Sequence, residues 1–401
     1  MDWQTTSEDT VPSAPVTEAD ERLLRARPPA TGAWRDGDHA GHRRFTFLGD
    51  FRTENGARLP VTRLAWESWG ELNEARDNAV LILHALTGDS HVRGEAGAGH
   101  PTAGWWNDIV GPGAAIDTDR WFVIAPNMLG GCQGSTGPAS IAPDGREWAS
   151  RFPYLTIRDQ VAAQIRLADE LGIDRWAAVI GGSMGGMHAL EWAIMQPERV
   201  QRLAVLSSPP VTTADQLALN FVQLETVRMD PHFAGGEYYD AALGEGPHRG
   251  LALARRMALL NYRSPIELNQ RFQRSWQSGV SPLGRGGRFA VQSYLDFHGN
   301  KFTRRFDANS YITVVEAMNS HDIGRDRGGV EEALHTVTAK SLVIGIDTDR
   351  LFPVDGQQRI ARSIPNLIDD EAVVLASDFG HDGFLIETDE VGMHLRRLLD
   401  A

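Results

Sequence analysis

The chain has 401 residues, 42% of them hydrophobic and 23% charged, a soluble-globular composition with room for one large α/β domain carrying an insertion, or for two domains. Its 39 basic against 53 acidic residues leave a net charge of −14, which argues against a nucleic-acid surface, and no apolar run reaches the roughly 18–20 residues of a membrane span. The acidic, Pro- and Thr-rich N-terminus is unlike a secretory signal, and Cys132, the only cysteine, excludes an internal disulfide and points to a reducing cytoplasm.

In chain order, residues 1–33 read as a disordered acidic tail without hydrophobic period. Phe45–Phe47 and Val61–Trp66 alternate like antiparallel strands. Ala79–Leu83 and Trp121–Ala125 are short continuous apolar runs, as expected of strands buried on both faces of a parallel sheet. Thr156-Ile157-Arg158-Asp159 has the form of a capping box and predicts a helix running to about Leu171. Trp176–Ile180 and Leu203–Leu206 are further buried strands around a second helix. The alternation stops near Pro209-Pro210, and residues 211–330 carry helical patterns, many arginines and no convincing buried strand. It resumes with Ser341–Ile346, a helix near Gln357–Ser363, the strand Ala372–Leu375 and a terminal helix from about Val391. Strand–helix alternation predicts an α/β fold. The expected division is a core of residues 34–210 and 331–401, with 211–330 as a helical lid over the strand ends.

The most informative segment is Gly181-Gly182-Ser183-Met184-Gly185-Gly186, directly between a predicted strand and a predicted helix. A Gly-x-Ser-x-Gly sequence in that context is a nucleophile elbow: the sharp turn exposes the serine hydroxyl at the tip of a strand. The following helix directs free N–H groups at the site, so the amide of Met184 is a candidate oxyanion donor.

A serine nucleophile needs a base and an orienting carboxylate. In an α/β-hydrolase arrangement these follow in the order Ser, Asp or Glu, His, on loops after later strands. Gly380-His381-Asp382-Gly383 follows the strand at 372–375, making His381 the candidate base, with His84, His321 and His335 as weaker rivals. Asp347-Thr348-Asp349 follows the strand at 341–346; Asp349 is the preferred carboxylate and Asp347 the alternative. The second oxyanion donor belongs on the loop after an early strand, where His84-Ala85-Leu86-Thr87-Gly88 offers the amide of Leu86 or a neighbour. The glycine-rich stretch Asn127–Pro138 has no Walker lysine and is no P-loop. Cys132 lies within it without a local base, so it reads as a small buried residue. No His/Cys/carboxylate cluster has metal-ligand spacing, and no metal is expected.

Together, His84–Gly88, Asn127–Ser135, Gly181–Gly186, Met318-Asn319-Ser320-His321-Asp322, Asp349-Arg350 and Gly380–Leu385 resemble the homoserine O-acetyltransferases, over a stretch from about residue 44 to the C-terminus. The resemblance implies an α/β-hydrolase fold and the triad Ser183, Asp349 and His381. It implies Arg228 on the lid for the substrate carboxylate and Asp382 for its ammonium. It further implies acetyl-CoA as co-substrate with no cofactor, L-homoserine as acceptor, ping-pong transfer through an acyl-serine in methionine biosynthesis, and a cytoplasmic homodimer formed through the lid helices. Readings left open are a succinyl donor, serine as acceptor, and a plain serine esterase or thioesterase. The intact order Ser183, Asp349, His381 argues against a catalytically inert binding protein.

Overall fold

The computed structural model describes residues 24–284 and 286–401. Its centre is an eight-stranded sheet in the order β1-β2-β6-β3-β7-β8-β9-β10. β1 (Arg44–Arg52) and β2 (Arg58–Trp69) form an antiparallel hairpin. β2 also pairs antiparallel with β6 (Phe122–Pro126). From β6 onward every pairing is parallel, through β3 (Ala79–Leu83), β7 (Ala178–Gly182), β8 (Arg202–Leu206), β9 (Lys340–Ile346) and β10 (Val373–Leu375). A separate two-stranded ribbon joins β4 (Val110–Gly111) to β5 (Ile116–Asp117).

The continuous apolar runs have the two-faced burial they predict. Alternate residues of β3 serve opposite layers: Leu81 and Leu83 join one hydrophobic cluster, Val80 and Ile82 the other. The first layer is closed by α1 (Ile157–Glu170) and α2 (Met184–Met195), whose Trp192 meets Trp176 edge to face at 6.1 Å. Each such buried side chain contributes about 1.5–3 kcal/mol by leaving water. The capping box of α1 forms as its sequence predicts, Thr156 accepting from the Asp159 amide while Asp159 reaches back to the Thr156 amide.

Between β8 and β9 the chain is helical: α3 (Ala214–Arg228), α4 (His248–Tyr262), α5 (Pro265–Phe272), α6 (Ala290–Phe302), α7 (Ala308–Asn319) and α8 (Val330–His335). Then come α9 (Val354–Ser363), the single turn α10 (Gly383–Ile386) and α11 (Thr388–Asp400), which begins three residues earlier than the sequence suggested. α11 closes the second layer through Leu395 and Leu398.

Residues 1–23 of the predicted tail lie outside the described residues. Its last part is tied down: Thr31 Oγ1 donates to Asp307 Oδ1 at 2.7 Å, and the Gly32 amide to the Phe306 carbonyl at 3.2 Å. These bonds anchor the chain before β1 to the start of α7.

Candidate active site

Ser183 joins β7 to α2 with φ 58° and ψ −126°, a sparsely populated conformation for a residue with a side chain. The turn is held by backbone: the Ser183 amide donates to the Leu206 carbonyl at 2.9 Å, and Ser208 Oγ to the Ser183 carbonyl at 2.8 Å. The flanking glycines are required by contact. A Cβ at Gly181 would lie 2.0 Å from the Gly185 carbonyl oxygen, and one at Gly185 2.0 Å from that of Leu83.

Two loops at the carboxyl ends of later strands meet this serine. Ser183 Oγ lies 2.8 Å from His381 Nε2, and His381 Nδ1 lies 2.6 Å from Asp349 Oδ2. The other oxygen of Asp349 accepts from the amides of Leu351 and Phe352, each at 2.9 Å. With its carboxylate so fixed, Asp349 holds the Nδ1–H tautomer and leaves Nε2 to accept the serine proton. Burial disfavours the imidazolium, but the charge and hydrogen bond of Asp349 outweigh it and hold His381 above the ordinary imidazole value. Asp347 serves its own turn instead, accepting from the Ser377 amide at 3.0 Å.

A cavity of about 210 Å³ opens over Ser183 and His381. Its lining includes the apolar Leu86, Trp105, Phe384 and Leu385 together with Arg255, Arg305, Tyr262 and Asp382. Leu86 is on the loop after β3, and Met184 opens α2. Among the described residues no backbone carbonyl takes the N–H of either. Arg305 reaches the Thr87 carbonyl, and Arg255 Nη1 lies 3.3 Å from Thr87 Oγ1.

The structure does not bring Arg228 here. It ends α3, paired with Glu316 at 2.6 Å and Glu225 at 3.3 Å on the outer surface, where a cation also complements the helix C-terminus. The guanidinium groups in the cavity belong to Arg255 and Arg305, which sequence reading missed among many arginines. One signal was available: Arg255 and Tyr262 are seven residues apart, two helical turns, and so share one face of α4.

The rival histidines are engaged elsewhere. His84 Nε2 accepts from the Met128 amide at 3.2 Å, His321 Nε2 meets the Pro209 carbonyl at 2.9 Å, and His335 ends α8. Burial pushes the Cys132 thiol up to about 12, so it stays protonated. Spacing did not reveal that Glu67, His91 and His100 gather their ligand-type atoms within 4.8 Å behind the loop after β3. Their bonding is internal. His91 Nδ1 donates to Glu67 at 2.9 Å, Ser90 Oγ donates to the other oxygen at 2.6 Å, and His100 Nε2 accepts from the His42 amide at 2.9 Å. The His91 and His100 rings stack at 3.9 Å. Rings stacked face to face cannot both aim in-plane lone pairs at one ion, so the group reads as a polar brace for that loop.

A parallel sheet with a serine elbow and a His–Asp pair on later loops defines a class, and a family description of the alpha/beta hydrolase fold matches residues 78–388. The chain belongs to that class. The homoserine O-acetyltransferase of Leifsonia xyli subsp. xyli is 66% identical over 100% of both chains. That of Thermobifida fusca is 56% identical over 92% of this chain and 97% of its own. Within the class, the chain therefore belongs to the homoserine O-acetyltransferase family. Among solved structures, homoserine O-acetyltransferase from Bacillus anthracis superposes with TM-score 0.82 at 28% identity, covering 90% of this chain and 97% of that one. Esterase E22 superposes with TM-score 0.80 at 29% identity, covering 89% and 99%.

Proposed function

We propose that the protein transfers an acetyl group from acetyl-CoA to the side-chain hydroxyl of L-homoserine in methionine biosynthesis, with Ser183, His381 and Asp349 as its catalytic triad. The observation that carries this reading is the continuous Ser183–His381–Asp349 hydrogen-bond chain facing a cavity that also holds two guanidinium groups and a carboxylate. A plain esterase needs the triad; an amino-acid acceptor also needs charges of both signs beside it.

In the first half-reaction Ser183 Oγ attacks the thioester carbonyl and His381 Nε2 takes its proton. The amides of Met184 and Leu86 stabilise the oxyanion. The tetrahedral intermediate collapses, the carbon–sulfur bond breaks, and His381 returns the proton to the CoA thiolate. In the second half-reaction His381 takes the proton of the homoserine hydroxyl, whose oxygen attacks the acetyl-serine ester. Ser183 leaves with the proton from His381, and O-acetyl-homoserine is released. Arg255 and Arg305 bind the acceptor carboxylate in place of Arg228, as guanidinium forks suit that group, and Asp382 binds its ammonium. Residues 211–330 act as the lid that limits water, on which transfer over hydrolysis depends.

The protein works in the cytoplasm as a homodimer joined through the lid. The outward faces of α3 and α4 support the homodimer: Leu217, Phe221 and Val222 on one and Leu253 and Leu260 on the other are solvent-exposed in a single chain.

The test is CoA release from acetyl-CoA with and without L-homoserine. Turnover that requires homoserine, with O-acetyl-homoserine as product and loss on Ser183→Ala, is expected. Steady release that ignores homoserine would make the protein a thioesterase, and faster release from succinyl-CoA would reassign the donor.

A further inference from the structure

Arg263 lies outside the cavity lining, at the junction of α4 and α5. Its Nε is 3.1 Å from Asp382 Oδ2, with both side chains mostly withdrawn from solvent at 17% and 19% exposure. It is itself held by Glu267, 3.7 Å from Nη1, and Glu267 is held by Arg271 at 3.0 Å. The segment around it is docked on the loop of the catalytic histidine. Ser264 Oγ donates to the Asp378 carbonyl while capping α5. Gly380, with φ +67°, sits so close that a Cβ there would lie 2.7 Å from both the Ser264 amide nitrogen and the Tyr262 carbonyl oxygen.

We propose that Arg263 is a positioning residue for the acceptor half-reaction: it fixes Asp382 as a carboxylate aimed into the cavity, and so gives the site its requirement for an acceptor bearing an ammonium group. This rests on the acyltransferase reading above and adds to it a residue that never touches substrate. The need for such a residue is electrostatic. Burial favours the neutral form of Asp382 and holds it above the usual carboxylate range, against the pull of Arg263 first, then His381 and Arg255. Glu267 pushes the same way as burial. Tyr262 and Tyr294, the other titratable groups near it, are themselves raised by burial and stay neutral. A neutral Asp382 would offer an ammonium group only a weak dipole. Arg263 is the nearest cation opposing that outcome. When homoserine is absent, His381 and Ser183 can still react with acetyl-CoA, so Arg263 acts in one half-reaction only.

The experiment compares wild type with Arg263→Gln, which keeps a polar group near the Nε position but removes the charge, and Arg263→Lys, which keeps charge. Three quantities are read: the burst of CoA from acetyl-CoA alone, transfer to L-homoserine, and transfer to 4-hydroxybutanoate, which keeps the carboxylate and hydroxyl but lacks the amine. In Arg263→Gln the burst should stay within about twofold of wild type. KM for homoserine should rise at least about tenfold, as for loss of an interaction with a charged group. Transfer to 4-hydroxybutanoate should be poor in wild type and should not change. Arg263→Lys should recover part of the homoserine KM. Equal losses with both acceptors, a diminished burst, or an unchanged homoserine KM would each overturn the proposal and leave the acyltransferase reading standing. Absence of homoserine-dependent turnover in wild type would remove that reading and this proposal with it.

Discussion

Asp349 has both carboxylate oxygens committed, one to His381 Nδ1 and the other to two backbone amides. An asparagine there must keep its carbonyl toward the two amide donors, because its NH₂ cannot accept from them. The NH₂ then faces His381 Nδ1, selects the wrong tautomer, and leaves Nε2 protonated toward Ser183. Asp349→Asn should therefore lower kcat on the order of 10⁴-fold, the scale attached to a triad carboxylate replaced by its amide. A pH consequence follows with a definite sign. Acylation needs neutral His381, whose folded value is raised by Asp349, so wild-type acylation should fall as pH drops through a value above the ordinary 6.5 of imidazole. Removing the Asp349 charge should move the limb of the residual activity to lower pH. Stopped-flow CoA release across pH checks both statements, and a limb unmoved by the substitution would deny Asp349 its electrostatic part.

Helix α3 shows how an element outside the sheet steadies the site. Thr213 caps it by accepting from the Gln216 amide, and Gln216 completes a capping box through the Thr213 amide. The same Gln216 donates from Nε2 to the Leu351 carbonyl at 2.9 Å, two residues past Asp349. The cap thus fastens the helical region to the loop bearing the triad carboxylate. Thr213→Ala should cost about 1 kcal/mol, the usual loss for a side-chain N-cap, read as a lower urea midpoint at unchanged slope. Because Gln216 keeps its bond to Leu351, kcat should change less than twofold. A large fall in kcat with no change in midpoint would contradict this division of labour. Helix α4 is two-sided in a similar way. Arg255 and Tyr262 line the cavity, whereas Leu253 and Leu260, also two turns apart, face outward and are exposed.

At the scale of the whole molecule, the proposed homodimer makes one physical demand: its interface must cover the apolar residues that a single chain leaves in water. Phe221 is 60% exposed and Met229 78%. Replacing both by glutamate would place charge where burial is needed and should shift the mass seen by light scattering from two chains toward one at micromolar concentration. An unchanged two-chain mass would move the interface elsewhere. The same outward faces explain why sequence alone could not place Arg228. Its helix is patterned for a surface on that side, and nothing local distinguishes an arginine paired with Glu316 from one aimed into the cavity. The α/β class, the order of its strands and helices, the elbow at Ser183 and the candidates Asp349 and His381 were legible because each rests on short-range rules: two-faced apolar runs, capping chemistry, and glycines where backbone must pass closely. Which of Asp347 and Asp349 meets His381, which arginines share the cavity with Ser183, and the pairing of Arg263 with Asp382 were settled only in three dimensions. Those pairings join residues as far apart in the chain as Arg263 and Asp382, and the placing of the arginines depends on how the helices between β8 and β9 pack back onto the strand ends, which no local pattern encodes.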